Sequence, residues 1–380
     1  MKDKIRVLHL IKTLDLGGAE TNLANMVSAF DPGRFEIHVG YSAGGVIEER
    51  LRGSGLKLYK FARKPYRIKS AATIVIIARL MAYIIKNKID IVHSHSFNAC
   101  FWGGIAARLC GRKTVEHVHD WRYWDTRDFL RRKGGEENLS QYSFARFFKY
   151  ISDMVIVLTK DSYEYILAKK LREKKDLRLI PNGIPIDQAR FSETPSFSNG
   201  EKVVLTSSRV APMKNIGLIV RIAPLVLKEV PNARFLIAGT GPEARSLNGM
   251  AAAMGIGESV RFMGFQPDIN GLLSKTRVFL LPSLLELHSI AILEAMSNKV
   301  PVVTSVGVGG NGDFIRDWDN GVLLDPFSDD GWAEAVIRLL KNEDLRKQIG
   351  LEGYKTCCAN FNIKDTVSRI QAAYEEITQR

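Results

Sequence analysis

The chain has 380 residues, 46% hydrophobic and 25% charged, which suits two globular domains and excludes a disordered or fibrous chain. Four cysteines (Cys100, Cys110, Cys357 and Cys358), none in a C-x-x-C pair, argue against a disulfide framework and make the cytosol the natural compartment. The net charge of +13 is uneven: residues 1–190 hold 34 Lys+Arg against 20 Asp+Glu and residues 191–380 hold 20 against 21, so the first half should face an anionic partner.

The opening MKDKIRVLHLI reads as a first strand and not as a signal peptide, because it has no long apolar region or small-residue cleavage site. Strands are expected at Arg6–Ile11, Phe35–Tyr41, Ile89–His93, Thr114–His117 and Met154–Leu158. A second series is expected at Lys202–Ser207, Ala233–Ala238, Ser259–Met263, Val278–Leu281, Val300–Thr304 and Gly321–Leu324. Many are apolar almost throughout, as in parallel strands buried on both faces. Helical spacing lies between them, for example in Ile216–Val230 and Gly331–Leu340. This alternation, run twice, predicts two doubly wound Rossmann-like α/β domains, residues 1–190 and 198–362, divided in the polar stretch 189–200. Ligands in such folds bind beyond the carboxyl ends of strands, so the site is expected in the cleft between the domains. The apolar run Ala71–Ile85 is interrupted by Arg79 and falls short of the roughly 20 residues of a membrane span.

In chain order, Gly17-Gly18 follows the first strand and opens a helix, where backbone amides can approach an anion; a tight turn explains it equally well. The segment Tyr59–Lys69 carries Lys60, Arg63, Lys64, Arg67 and Lys69 with three aromatics and no acid. Together with Arg131–Lys133 and Ser143–Tyr150 it suits an anionic membrane surface; RNA is the rival, but no RNA-binding motif accompanies it. His93/His95 and His117/His119 end two strands, each pair on one strand face. Each pair could supply two metal ligands, yet no hydrolase signature accompanies them, and a polar cleft edge with His119 toward substrate is preferred.

Arg209 and Lys214 follow the first strand of the second series, a planar fork and a mobile point charge suited to a diphosphate. Gly239 and Gly241 form a turn suited to a base or ribose but lack the third glycine of a dinucleotide fingerprint. Glu286 lies in the loop after Val278–Leu281, and Glu294 lies two turns further, in the apolar run Ile290–Met296. A carboxylate there can hold sugar hydroxyls, and the helix start at His288, Ser289 and Ile290 would face donor phosphates. Asp317-Trp-Asp319 is formally an Asp-x-Asp pair but reads as a solvated turn.

These segments, in this order, resemble the retaining glycosyltransferases of the two-Rossmann-domain GT-B type, family GT4 or group 1. The resemblance runs from Gly17-Gly18-Ala19-Glu20 through Ile91-Val-His-Ser-His95, Ile180-Pro-Asn-Gly-Ile-Pro185 and Ala238-Gly-Thr-Gly-Pro-Glu243 to Glu286 and Glu294 within Pro-Ser-x-x-Glu…Glu-Ala-Met. It implies a hexosyl or N-acetylhexosaminyl transferase of the EC 2.4 class that uses a UDP- or GDP-sugar, no metal and no cofactor. The acceptor would be a sugar or a lipid-linked intermediate of polysaccharide or lipopolysaccharide assembly, met at the inner face of the cell membrane, with no nucleic acid involved. Arg209 and Lys214 would neutralise the leaving diphosphate, Glu294 hold the ribose, Glu286 face the sugar, Gly17-Gly18 approach the phosphates and His119 lie near the reacting carbon. The last helix, about 363–380, would pack on the first domain. Leu287-His288-Ser289 departs from the family's usual Gly-Phe-Gly or Ser-Phe-Gly and would put an imidazole near the transferred sugar. Three rivals are a sugar-nucleotide epimerase of related architecture, a metal-dependent hydrolase using the histidine pairs, and a non-catalytic nucleic-acid-binding protein.

Overall fold

The computed structural model describes residues 4–15, 17–62, 71–119, 151–186 and 200–379. The chain forms two units, Met1–Gly183 with Ile363–Arg380, and Ile184–Asn362. The polar residues 189–199 lie outside the described residues.

In the first unit the described strands are β1 (Ile5–Leu10), β2 (Phe35–Tyr41), β3 (Lys57–Lys60), β4 (Ile91–Ser94), β5 (Lys113–His117), β6 (Met154–Val157) and β7 (Leu177–Leu179). They form one parallel sheet in the order β3-β2-β1-β4-β5-β6-β7. Successive residues of a strand point to opposite faces, and both faces here are apolar. Val7, Ile91 and Val115 join one core cluster, while Leu8, Leu10 and Val92 join another. The strands β3 and β7 were not among the expected ones. Lys57-Leu-Tyr-Lys60 has exposed ends and half-buried centres, and Leu177–Leu179 spans three residues, so neither carries a long apolar run.

The helix Ile363–Gln379 belongs to this unit. Its apolar positions Ile363, Val367, Ile370, Tyr374 and Ile377 recur at helical spacing and share a cluster with Leu23, Phe30 and Ile91. Tyr374 is fully buried and stacks on Phe30 at 5.9 Å.

The second unit holds β8 (Lys202–Ser207), β9 (Ala233–Ala238), β10 (Val260–Gly264), β11 (Thr276–Leu281), β12 (Val302–Ser305) and β13 (Val322–Leu324). The sheet order is β10-β9-β8-β11-β12-β13, again parallel. The same two-faced burial holds, with Val204 and Leu280 on one side and Leu205 and Leu281 on the other. The helix Asp329–Lys341 shows how local chemistry fixes an element. The Ser328 side chain accepts from the Gly331 amide, Asp329 and Asp330 occupy the positive first turn, and Arg338 and Lys341 occupy the last. In each sheet the order reverses at one place, between β1 and β4 and between β8 and β11. Those switch points are where a doubly wound sheet opens a crevice for ligands.

Candidate active site

At the second unit's switch point, β8 and β11 run side by side and the loops leaving their carboxyl ends are tied together. The amide of Leu284 donates to the Met213 carbonyl at 2.8 Å, and Lys214 Nζ forms an ion pair with Glu286 Oε1. Ser283 Oγ donates to the same Oε1 at 2.9 Å. The side chains of Lys214 and Glu286 are only 20% and 10% exposed, so each supplies the counter-charge that makes the other's burial tolerable. The contacts from Lys214 and Ser283 both fall on Oε1, which leaves Oε2 as an acceptor with no hydrogen bond among the described residues. Arg209, two residues beyond β8, is exposed and makes no ion pair among the described residues.

Three glycines, Gly239, Gly241 and Gly309, are required by this packing, because a Cβ at each would meet a backbone carbonyl oxygen. Gly239 has φ +147°, and a Cβ there would lie 1.9 Å from the Ser208 carbonyl oxygen, so the turn after β9 can press onto the loop after β8. Gly241 belongs to the same turn, where the Val210 amide donates to the Thr240 carbonyl at 2.9 Å. Gly309 has φ +55°, and a Cβ there would meet the Glu286 carbonyl oxygen at 2.0 Å. The Gly310 amide then donates to the Leu287 carbonyl at 2.7 Å, which fixes the loop carrying Glu286.

Ser289 stands at the N-cap and Ile290 at the first position of the helix Ile290–Ser297, and both are buried. The first-turn amides of a helix have no partner within it. Glu294, on this helix, is half-buried. The His288 imidazole is 6% exposed and packs on Phe314 and Phe361, at centroid distances of 5.3 and 5.0 Å. Burial pushes its pKa down to about 3. Asp317 and Asp319 serve a turn: Asp317 accepts from the Leu323 amide at 2.9 Å and Asp319 pairs with Arg316 at 2.6 Å.

In the first unit the two histidine pairs come together with His9, which the sequence did not single out. His93 and His95 stack at 4.3 Å and His117 and His119 at 4.2 Å, at the ends of the adjacent strands β4 and β5. The nitrogens of His9, His93 and His95, and of His95, His117 and His119, form two groups lying within 4.8 Å, close enough to be considered as metal ligands. Gly17 precedes the helix Gly18–Val27, whose first residue Gly18 is exposed. The Glu20 carboxyl group folds back to Gly17 and accepts from Thr13 Oγ1 at 3.2 Å; burial raises its pKa. Lys60 is exposed at the end of β3, and Arg63, Lys64, Arg67 and Lys69 lie outside the described residues.

Residues 187–356 match the family Glycosyl transferases group 1, and residues 16–188 match Glycosyltransferase Family 4. The chain is 25% identical to the UDP-Gal:alpha-D-GlcNAc-diphosphoundecaprenol alpha-1,3-galactosyltransferase of Escherichia coli, over 98% of this chain and 97% of that one. Among solved structures, Anabaena HepE in complex with UDP and glucose is similar with a TM-score of 0.82 at 19% identity, covering 98% of this chain and 100% of that one. Sucrose-phosphate synthase from Thermosynechococcus elongatus follows at 0.81 and 16%, covering 99% and 100%.

His288 gives this site a pH signature. Its folded-state pKa of about 3 lies below the ordinary 6.5, so between those values the unfolded chain binds a proton that the folded one refuses. Stability from this group is complete above pH 6.5 and falls as pH drops toward 3, by up to about 1.4 kcal/mol per pH unit. His288→Phe should therefore show a shallower loss of melting temperature between pH 6 and 4.5 than the unaltered protein. Equal slopes would contradict the burial argument.

Proposed function

The chain belongs to the group 1, family 4 glycosyltransferases and has the GT-B fold, and from that premise we propose that it is a retaining, metal-independent transferase. In this reading it moves a hexose or N-acetylhexosamine from a nucleoside-diphosphate sugar to a lipid-linked or polysaccharide intermediate. The observation that carries the proposal is the joined constellation at the second switch point, Lys214 and Ser283 on one oxygen of Glu286 with the exposed Arg209 nearby in sequence.

The chemistry follows from the charges. The bond between the anomeric carbon and the phosphate oxygen breaks, and negative charge grows on the departing diphosphate. Arg209, Lys214 and the amides at the start of Ile290–Ser297 stabilise that charge without reorganising. Glu286 Oε2 accepts from a sugar hydroxyl, Glu294 accepts from the ribose diol, and the Gly239–Gly241 turn lies toward the nucleoside. No carboxylate nucleophile is assigned. The acceptor hydroxyl attacks on the face the phosphate leaves, and its proton passes to the phosphate oxygen. His119 and the Gly17-Gly18 turn, both beyond carboxyl ends of first-unit strands, have substrate-facing roles. UDP is the favoured nucleotide because the E. coli relative is named for a UDP-sugar, and its diphosphoundecaprenol acceptor supports a lipid-linked one.

A peripheral membrane position is part of the proposal. No helix of the described residues is long and apolar enough to cross a membrane. The helix Ala72–Lys86 instead exposes Ile74, Val75 and Ile85, at 77%, 52% and 62%, and leans on β3 through Tyr83 stacked on Tyr59 at 4.0 Å. Apolar residues beside the exposed Lys57 and Lys60 suit an interface with anionic lipid.

UDP-glucose, UDP-galactose, UDP-N-acetylglucosamine and GDP-mannose should be ranked by thermal stabilisation, which amounts to about 2.7 kcal/mol at a hundredfold excess over Kd. With the selected donor, Lys214→Ala and Glu286→Ala are each expected to lower turnover about a hundredfold or more. The product should keep the donor's anomeric configuration, and chelator should leave the rate unchanged. Full turnover in both variants would sink the site assignment, and an inverted product the retaining route.

Flotation with anionic liposomes at low salt tests the membrane position: binding is expected, weakening as salt rises. Protein that ignores such vesicles at low salt is not a peripheral membrane protein of this kind.

A further inference from the structure

At the amino ends of β1, β4 and β5 the first sheet holds a cavity of about 400 Å³, at the edge opposite the histidine cluster. The topology assembles its wall. Lys4 and Arg6 straddle the first residue of β1, Asp90 stands just before β4, and Arg112 and Lys113 stand at the start of β5. Those three strands are neighbours in the parallel sheet, and the returning helix Ile363–Gln379 adds Thr378.

The charges in this wall do not cancel. Four cations meet one carboxylate. Asp90 Oδ2 accepts from the Arg6 amide at 2.8 Å, which ties the start of β4 to β1, and Asp90 forms no ion pair among the described residues. Lys4, Arg112 and Lys113 form none either, and Arg6 has only a long contact of 3.7 Å with Glu36. Arg112 Nε is shut off from solvent and has no hydrogen-bond partner among the described residues, so no protein acceptor fixes its guanidinium.

Basic residues at this edge have an ordinary role. Helix carboxyl ends gather beside the amino ends of parallel strands, and Lys and Arg offset their partial negative charge. Here the helices Phe97–Leu109 and Ile363–Gln379 end beside the cavity. At about half a charge each, they and Asp90 together offset about two of the four cations. Assigning Arg6 to Glu36 still leaves a surplus of about one positive charge. A concave wall concentrates that surplus, because its field converges on the cavity instead of spreading into water.

Donors from three strand ends offer more directions than a planar carboxylate presents. A phosphate monoester brings three terminal oxygens and close to two negative charges. A guanidinium takes two of those oxygens as a planar fork, and an ammonium supplies a compact charge. We propose that this cavity is a binding site for a phosphate monoester, separate from the candidate donor site and contained in the first unit. Arg112 supplies the fork, and Lys4 and Lys113 supply the point charges. The inference does not rest on the proposed function, because neither Arg209 nor Lys214 takes part. It gives the positive excess of the chain's first half a defined anionic partner. Two sources carry this chemistry, a soluble phosphate ester and the headgroup of phosphatidic acid.

Calorimetric titration of the full-length protein with inorganic phosphate, the shared group, reads the site at low salt, where screening is weakest. The Arg209→Ala variant, with its donor grip weakened, should still bind phosphate. Adding Arg112→Gln and Lys113→Gln to it should weaken that binding at least about tenfold, the loss of two charge-assisted contacts. No binding by Arg209→Ala, or an affinity unchanged by the two glutamines, would overturn the proposal. Lys4→Gln changes an exposed side chain and should cost about threefold. It serves where the paired variant fails to fold, and an unchanged affinity there overturns the proposal equally. Flotation with phosphatidylcholine vesicles containing phosphatidic acid separates the two sources. Vesicle binding that falls at least about tenfold with the two glutamines marks the lipid headgroup. Flotation that they leave unchanged, with phosphate affinity lowered, marks a soluble ester, and both results support the site. Donor turnover of the Arg112→Gln, Lys113→Gln protein should stay intact, so a failed donor site and a failed phosphate site read out separately.

Discussion

The ion pair between Lys214 and Glu286 is the contact on which the second unit's site depends. It spans the loops leaving two neighbouring strands, both partners are largely withdrawn from water, and Ser283 adds a hydrogen bond to the shared oxygen. Removing either partner would leave the other charge buried and uncompensated, which costs far more than the pair itself contributes. The surrounding backbone is shaped to the same end. Gly239 lets one turn press on the loop after β8, and Gly309 lets another press on the carbonyl of Glu286. The Lys214 ammonium and the Glu286 carboxylate are thus held in place before any ligand arrives, which is the electrostatic preorganisation that their proposed roles require.

The first unit solves a similar problem with neutral groups. Its parallel sheet is apolar on both faces, so polar chemistry collects where strands end. There the imidazoles of His9, His93, His95, His117 and His119 form a cluster in which each ring lies within about 4–6 Å of a neighbouring one. Five cationic rings at such distances would repel strongly, and burial keeps the inner ones uncharged. A hydroxyl from the last helix of the chain hydrogen-bonds His93 and His9, which gives that helix's return to the first unit a chemical role beyond packing.

Much of the fold was legible because two-faced burial writes a simple pattern. Lys202–Ser207 and Ala233–Ala238 are largely apolar runs, Phe35–Tyr41 alternates apolar residues with Glu36, His38 and Gly40, and all three are strands with those bounds. The strand β3 escaped because it is a four-residue edge strand whose exposed lysines flank only two half-buried residues, and β7 escaped because three residues hold no period. The placement of the candidate residues was legible where sequence neighbours share an element, as at Glu286 and Ser289 on one loop and the helix it enters. It was illegible where packing partners come from afar. His288 meets Phe361, seventy-three positions on, and His9 joins His95 and Tyr374 across most of the chain. No local pattern marks such encounters.

The central claim is that Lys214 grips the diphosphate while Glu286 grips the sugar, although the two are joined to each other. Calorimetric titration of Glu286→Ala with the nucleoside diphosphate, and separately with the matching nucleoside-diphosphate sugar, tests it most directly. Affinity for the diphosphate should be retained, because Lys214 remains, while the sugar nucleotide should lose about tenfold, the loss expected of one charge-assisted hydrogen bond. An equal loss for both ligands, or none for either, would contradict the division of labour between the two residues.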